Sequence, residues 1–184
     1  VNIVVQMDRN PGYDSTYGFD DRYENWTDCY RFYVTKDICP TPGNATPPYL
    51  GEVNMGDPAT LKDFVNWTLN NYPANYYCLV LWDHGTGCMG VCFDMENAND
   101  RLSLPELSQA LSGLPAIIDV VFIDACSMSM IEVAYQIKNY ANILVGPQGI
   151  GYAPAPYDKY LLDLNSSSLI SPKEFATQIV DEYM

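Results

Sequence analysis

Two residues in this chain pair a reactive side chain with a position from which it could act. His84 is the only histidine among 184 residues, and it closely follows the apolar run CLVLW (78–82). Cys126 ends a second and more apolar run, IIDVVFIDA (117–125). A thiolate is a strong nucleophile, and an imidazole beside it can take the thiol proton and later return it to a leaving amine. Taken singly, each residue has a plain structural reading: a loop histidine without a task, and an inert buried thiol. Taken together, they describe nucleophilic attack on a carbonyl carbon. Gly85 has no side chain, so its N–H can approach an oxyanion closely, and the N–H of Cys126 could be the second donor. The pattern MSMIEVAYQIKNY (128–140) predicts a helix directly after Cys126. The positive end of such a helix would favour the thiolate.

For this chemistry both strands must end at one edge of a sheet. VNIVVQM (1–7) predicts a short buried strand, rich in β-branched residues. CLVLWD (78–83), IIDVVFIDA (117–125) and ANILVG (141–146) predict three more, and VCFD (91–94) a short hairpin strand. Helices are predicted between them. Asp57-Pro58 is an N-cap with proline in the first turn, and Leu61, Phe64, Val65 and Leu69 form one apolar face. Ser103-Leu104-Pro105-Glu106 and Ser171-Pro172-Lys173-Glu174 are capping boxes. Alternating strands and helices predict a mainly parallel sheet flanked by helices, an α/β/α sandwich, whose ligands bind beyond the carboxyl ends of the strands. His84 and Cys126 both fall at such ends. The length suits one domain over residues 1–184, with an irregular, Tyr-, Asp-, Gly- and Pro-rich insertion at about 8–56. The pattern of the last helix runs to Met184, so a longer natural chain is expected.

Composition narrows the partners. The net charge of −14 and the pI near 4.1 exclude a phosphate-binding surface, so no nucleic-acid partner is expected. The same field is compatible with a cationic peptide. No apolar run approaches the roughly 18 residues needed to span a bilayer. Six cysteines occur (Cys29, Cys39, Cys78, Cys88, Cys92 and Cys126), of which Cys29 with Cys39 and Cys88 with Cys92 could pair. His84, Cys88 and Cys92 could offer three zinc ligands, but the spacing matches no standard site and a fourth ligand is missing. Asp14, Asp20, Asp21 and Glu24 carry the hard oxygens that suit calcium. No cofactor is required by the chemistry; Ca2+ suits these residues better than zinc does, the other reading being an acidic loop that faces water.

Several segments, in order, resemble the clostripain family of cysteine peptidases, in the clan of the caspases, legumains and gingipains. GEVNMGDPATLKDFVNW (51–67) is similar to the helix before the family's histidine strand. LVLWDHGTG (79–87) resembles its histidine motif, and VVFIDACSMSMIEVAYQI (120–137) its cysteine motif with the following helix. GYAPAPYDKYLLDL (151–164) resembles a later substrate-binding loop more weakly. His84 and Cys126 stand 42 positions apart, near the caspase spacing.

The resemblance implies a caspase-like fold, a His84–Cys126 dyad and oxyanion donors from Gly85 and Cys126. It also implies that Asp124 lines the S1 pocket and selects Arg or Lys at P1, for which a carboxylate in a half-closed pocket is suited. A structural carboxylate capping the next helix is the other reading of Asp124. Self-processing between histidine and cysteine is implied as well. Arg101 is the only basic residue of FDMENANDRLS (93–103), a polar stretch expected to be exposed, and is the expected cleavage site. Three features depart from the family pattern and bear on subsites rather than the dyad: Ser127-Met128 for Leu-Met, Gly146-Pro147-Gln148 for a Ser-Glu-like stretch, and the insertion at 11–50. The expected activity is therefore endopeptidase cleavage after basic residues, extracellular or at the cell surface. The alternative is a non-catalytic cell-surface binding or adhesion module, with the chain's fifteen tyrosines as its recognition surface.

Overall fold

The computed structural model describes residues 1–10, 26–36, 41–151, 155–166 and 170–183. At its centre is a three-stranded parallel sheet of β4 (Cys78–Trp82), β7 (Ile118–Asp124) and β8 (Ala141–Val145), in the order β4-β7-β8. β7 is central, which explains why its sequence is almost continuously apolar: both of its faces are covered. Leu79, Leu81, Val121, Ile123 and Leu144 face one layer of helices, α1 (Pro58–Asn71), α2 (Leu104–Leu111) and α3 (Ile131–Ile137). Val120, Phe122, Ile143 and Val145 face the other layer, α4 (Tyr157–Ser166) and α5 (Pro172–Tyr183). The α/β/α sandwich expected from the alternating pattern is formed.

Local sequence dictates the helix starts. The Asp57 carboxylate accepts the Ala59 N–H at 2.7 Å, with Pro58 at the first helical position. Glu106 accepts the N–H and hydroxyl of Ser103, at 3.0 and 2.5 Å, and Glu174 does the same for Ser171 at 2.9 and 2.6 Å. Both capping boxes are real. A five-residue turn joins β5 (Val91–Asp94) to β6 (Asp100–Leu102), with Ala98 and Asn99 in left-handed conformations that close it.

The amino-terminal region is more regular than its composition suggests. β1 (Val4–Arg9) pairs antiparallel with β2 (Asp28–Tyr33), which pairs with β3 (Thr46–Gly51). Two strands thus lie inside the stretch expected to be irregular. Arg31 ties this sheet to α1. It is 3% exposed, stacks over Phe64 and Trp67 at 5.7 and 4.9 Å, and donates to Gln6 at 2.9 Å and Asp63 at 2.6 Å. Asp14, Asp20, Asp21, Glu24 and Cys39, and with them the first calcium reading and the Cys29–Cys39 pairing, lie outside the described residues.

Candidate active site

The register of the parallel sheet sets the site. Trp82 is aligned with Asp124, so β4 and β7 end side by side, and His84 and Cys126 each stand two residues past that pair. The two segments then close on each other. A Cβ built on Gly85 would stand 2.6 Å from the Cys126 carbonyl oxygen, 2.8 Å from the Ala125 Cβ and 2.9 Å from the Met128 Cγ. Only glycine permits that approach. His84 is exposed and Cys126 half-buried, so neither is sealed from solvent.

Each segment is held by contacts the local sequence does not announce. The Asp83 carboxylate accepts the backbone N–H groups of His84 and Phe93, which ties the histidine segment to β5. Burial raises the Asp83 pKa, and these two donors oppose the rise. Gly85 forms an antiparallel bridge with Val91, and Thr86 donates its N–H to the Gly90 carbonyl at 3.0 Å. On the cysteine side the N–H of Ser127 donates to the Gly149 carbonyl at 2.8 Å, and that of Ser129 to Pro147 at 3.0 Å. The Gly146-Pro147-Gln148 departure therefore serves as an anchor for the turn after Cys126.

That turn corrects one expectation. The helix does not begin directly after Cys126: Ser127 has φ of 61°, residues 126–129 form a turn, and α3 starts at Ile131 with Met130 as N-cap. A left-handed residue cannot continue a right-handed helix, so the helix end stands one turn away from the thiol. Contrary to expectation, the Cys126 thiol does not sit at a helix N-terminus that could favour its thiolate.

Asp124 is 8% exposed. It does not cap the following helix. It accepts the Tyr157 hydroxyl at 2.7 Å, and the N–H of Ala155 as well. Among the described residues it has no ion-pair partner. Burial raises its pKa above the usual carboxylate range, while the two donors hold it down. Both donors come from the 155–157 segment, so the carboxylate is hydrogen-bonded, with no cation beside it among the described residues.

Arg101 lies in β6 and not in an open linker. It is half-buried, donates Nε–H to the Met89 carbonyl at 2.9 Å, and stacks over Phe93 at 5.7 Å. Gly56 presses on its backbone, where a Cβ would stand 2.5 Å from the Arg101 nitrogen. Pairing with β5 buries Leu102 and half-buries Arg101, while Asp100 and most of the preceding turn stay exposed as expected.

The zinc alternative is not assembled. Among the described residues, the single set of ligand atoms within 4.8 Å of one another is Asp8, Glu52 and Glu96, and it includes none of His84, Cys88 and Cys92. Cys88 and Cys92 are both free, and burial pushes the Cys92 thiol up to about 12. The three carboxylates are a donor set of the type hard cations prefer. Asp83 and Tyr157 fall within the motif segments quoted above, but their roles, like the grouping of this triplet, depend on partners brought close only by the fold.

The model of the clostripain family matches residues 1–184. Clostripain of Hathewaya histolytica is 29% identical over 187 residues, which span 86% of this chain and 35% of that protein. Among solved structures, a secreted cysteine protease of Bacteroides thetaiotaomicron, bound to an irreversible peptide inhibitor, aligns with a TM-score of 0.74 and 26% identity. That alignment covers 99% of this chain and 47% of the other. An inactive zymogen protease of Parabacteroides distasonis aligns with a TM-score of 0.64 and 25% identity, covering 85% and 43%. The chain thus spans about a third of the curated relative and under half of the solved ones. No helix among the described residues is long and apolar enough to cross a membrane.

Proposed function

Since this chain belongs to the clostripain family, we propose that it serves as a cysteine endopeptidase, with Cys126 as nucleophile and His84 as general base. One observation carries the proposal: Gly85 lies against the Cys126 carbonyl, which brings the histidine segment onto the cysteine turn. In the proposed reaction Cys126 Sγ attacks the scissile carbonyl carbon as its proton passes to His84. The N–H groups of Gly85 and Cys126 stabilise the oxyanion that forms. Collapse breaks the C–N bond, His84 protonates the leaving amine, and a thioester remains on Cys126. Water, deprotonated by His84, then releases the acid and restores the thiol.

Asp124 supplies the P1 preference in this proposal. It stands two residues before the nucleophile, buried and with no cation partner among the described residues, so an Arg or Lys side chain could pair with it. The substrates are then peptides or proteins with a basic P1 residue. Two relatives are described as a secreted protease and an inactive zymogen. By analogy we place the activity outside the cell and propose maturation by cleavage after Arg101. That cleavage requires β6 to peel from β5, since Arg101 is tied to Met89 and Phe93. The proposed chemistry draws on no metal; the acidic residues expected to suit Ca2+ lie outside the described residues, and Asp8, Glu52 and Glu96 are the described carboxylates grouped closely enough to hold such an ion.

A fluorogenic peptide with Arg or Lys at P1 tests the reading. Cleavage is expected, is lost on Cys126→Ala, and a basic peptidyl electrophile labels Cys126 and none of the other five cysteines. Turnover that survives Cys126→Ala would end the proposal.

A further inference from the structure

The carboxylate assigned to P1 recognition is not held by its own strand. Asp124 ends β7, and the group donating to it, the Tyr157 hydroxyl, stands at the start of α4, 33 residues further along the chain. Tyr157 is itself fixed by packing. Its ring lies 6.4 Å from that of Phe122 and 5.4 Å from that of Tyr160, which is 2% exposed and packs edge-on against Phe175 of α5. The Ala155 N–H adds a second donor from the same segment. With its ring held, the Tyr157 hydroxyl lies 2.7 Å from the carboxylate with Tyr160 as its other neighbour, and donation to Asp124 favours the charged form.

We propose that Tyr157 is the positioning residue of the specificity pocket: its hydroxyl holds the Asp124 carboxylate charged and oriented toward a guanidinium or ammonium at P1. The inference rests on the reading of Asp124 given above. Among the described residues the Tyr157 hydroxyl bonds to Asp124 and not to His84 or Cys126, so its effect should fall mainly on substrates with a basic P1. It acts on binding rather than on the chemical step, and is read in KM rather than kcat.

The surroundings make the effect separable. Tyr157 and Tyr160 of α4 and Tyr183 of α5 face Asp124, and Cys126 follows it by two residues. No Lys or Arg is among these groups, and all three phenols titrate above their ordinary value. Titration of the dyad is common to every substrate. It cancels in the ratio of kcat/KM between peptides with Arg and norleucine at P1, leaving Asp124 as the group that ratio reports.

The experiment compares those two peptides across pH with the active peptidase and its Tyr157→Phe variant. KM for the Arg peptide should rise about tenfold in the variant, the loss of one hydrogen bond to a charged acceptor. The effect on kcat and on the norleucine peptide should be much smaller, so the Arg/norleucine ratio of kcat/KM should fall about tenfold. The acid limb of the Arg/norleucine ratio should move to higher pH, because a carboxylate that loses a donor binds its proton more tightly. Replacement of Tyr157 by 3-fluorotyrosine keeps the packing and strengthens the donor, so the limb should move to lower pH; this arm decides if Tyr157→Phe does not fold. An unchanged ratio and limb in both variants, beside a wild type that prefers Arg, would overturn the role of Tyr157 alone. A wild type that cleaves both peptides equally would remove the basic-P1 reading, and this inference with it.

Discussion

Gly85 and Cys126 touch through the backbone: the α-carbon of one sits so close to the carbonyl oxygen of the other that a methyl group would come within 2.6 Å of it. Consecutive chain segments do not make this contact. It joins the ends of two strands that are neighbours in the sheet and 42 residues apart in sequence at their reactive side chains.

Gly85→Ala should therefore damage both stability and catalysis. The new methyl meets the Cys126 carbonyl, Ala125 and Met128 with no flexible side-chain end to yield except at Met128. Overpacking of this kind costs about 1–3 kcal/mol. Displacing the histidine segment by about 1 Å would lower kcat by about 100-fold. Thermal unfolding and single-turnover rates on an Arg peptide check the two effects separately.

Cys126→Ala and His84→Ala should each lower kcat/KM by about a thousandfold or more, and the double variant should be no worse than either. Groups that act as a unit lose their function once. Losses that multiply would mean that the two residues work independently.

Cleavage of basic substrates should weaken in acid. Burial raises the Asp124 pKa above the usual carboxylate range. The carboxylate is charged above that folded-state value and neutral below it, so KM for an Arg peptide should rise as pH falls through it. Asp124→Asn should abolish this limb and the Arg preference together. A KM that stays flat from neutral pH into the carboxylate range would argue that Asp124 does not meet the substrate.

Self-processing makes a sharp chemical prediction. Incubated wild-type protein should yield a new amino terminus at Leu102, identified by intact mass, and Arg101→Gln should stay uncut. Cys126→Ala should stay uncut too, and its cleavage by added active enzyme would show whether the reaction runs between molecules. Slow processing is expected, because Arg101 must first leave β6.

Arg31→Met should destabilise the protein by about 1–3 kcal/mol without altering KM. The contribution comes from the stacking on Phe64 and Trp67 and the bond to Gln6, since the Asp63 carboxylate is 69% exposed and its pairing is screened. Urea midpoints of Arg31→Met and Arg31→Lys should be similar, as an ammonium cannot stack as a planar fork does.

What the linear sequence determined was everything decided over short range. The central strands announced themselves by apolar runs, because a strand covered on both faces has no polar side to show. Asp57, Ser103 and Ser171 marked helix starts, because a cap and its donor lie within three residues. His84 and Cys126 stood out because each ends such a run, and a parallel sheet brings those ends to one edge. Tertiary structure alone decided the rest. β2 and β3 are held by pairing with β1 and by Arg31 on α1, so a stretch with no periodicity of its own becomes ordered. The helix after Cys126 starts late because Ser127 and Ser129 bond to the loop at 147–149, which no local preference could reveal. Asp83 and Asp124 take their environments from Phe93 and Tyr157, 10 and 33 residues away. Hydrogen bonds across such distances depend on where the sheet places its loops, and that placement belongs to the folded chain.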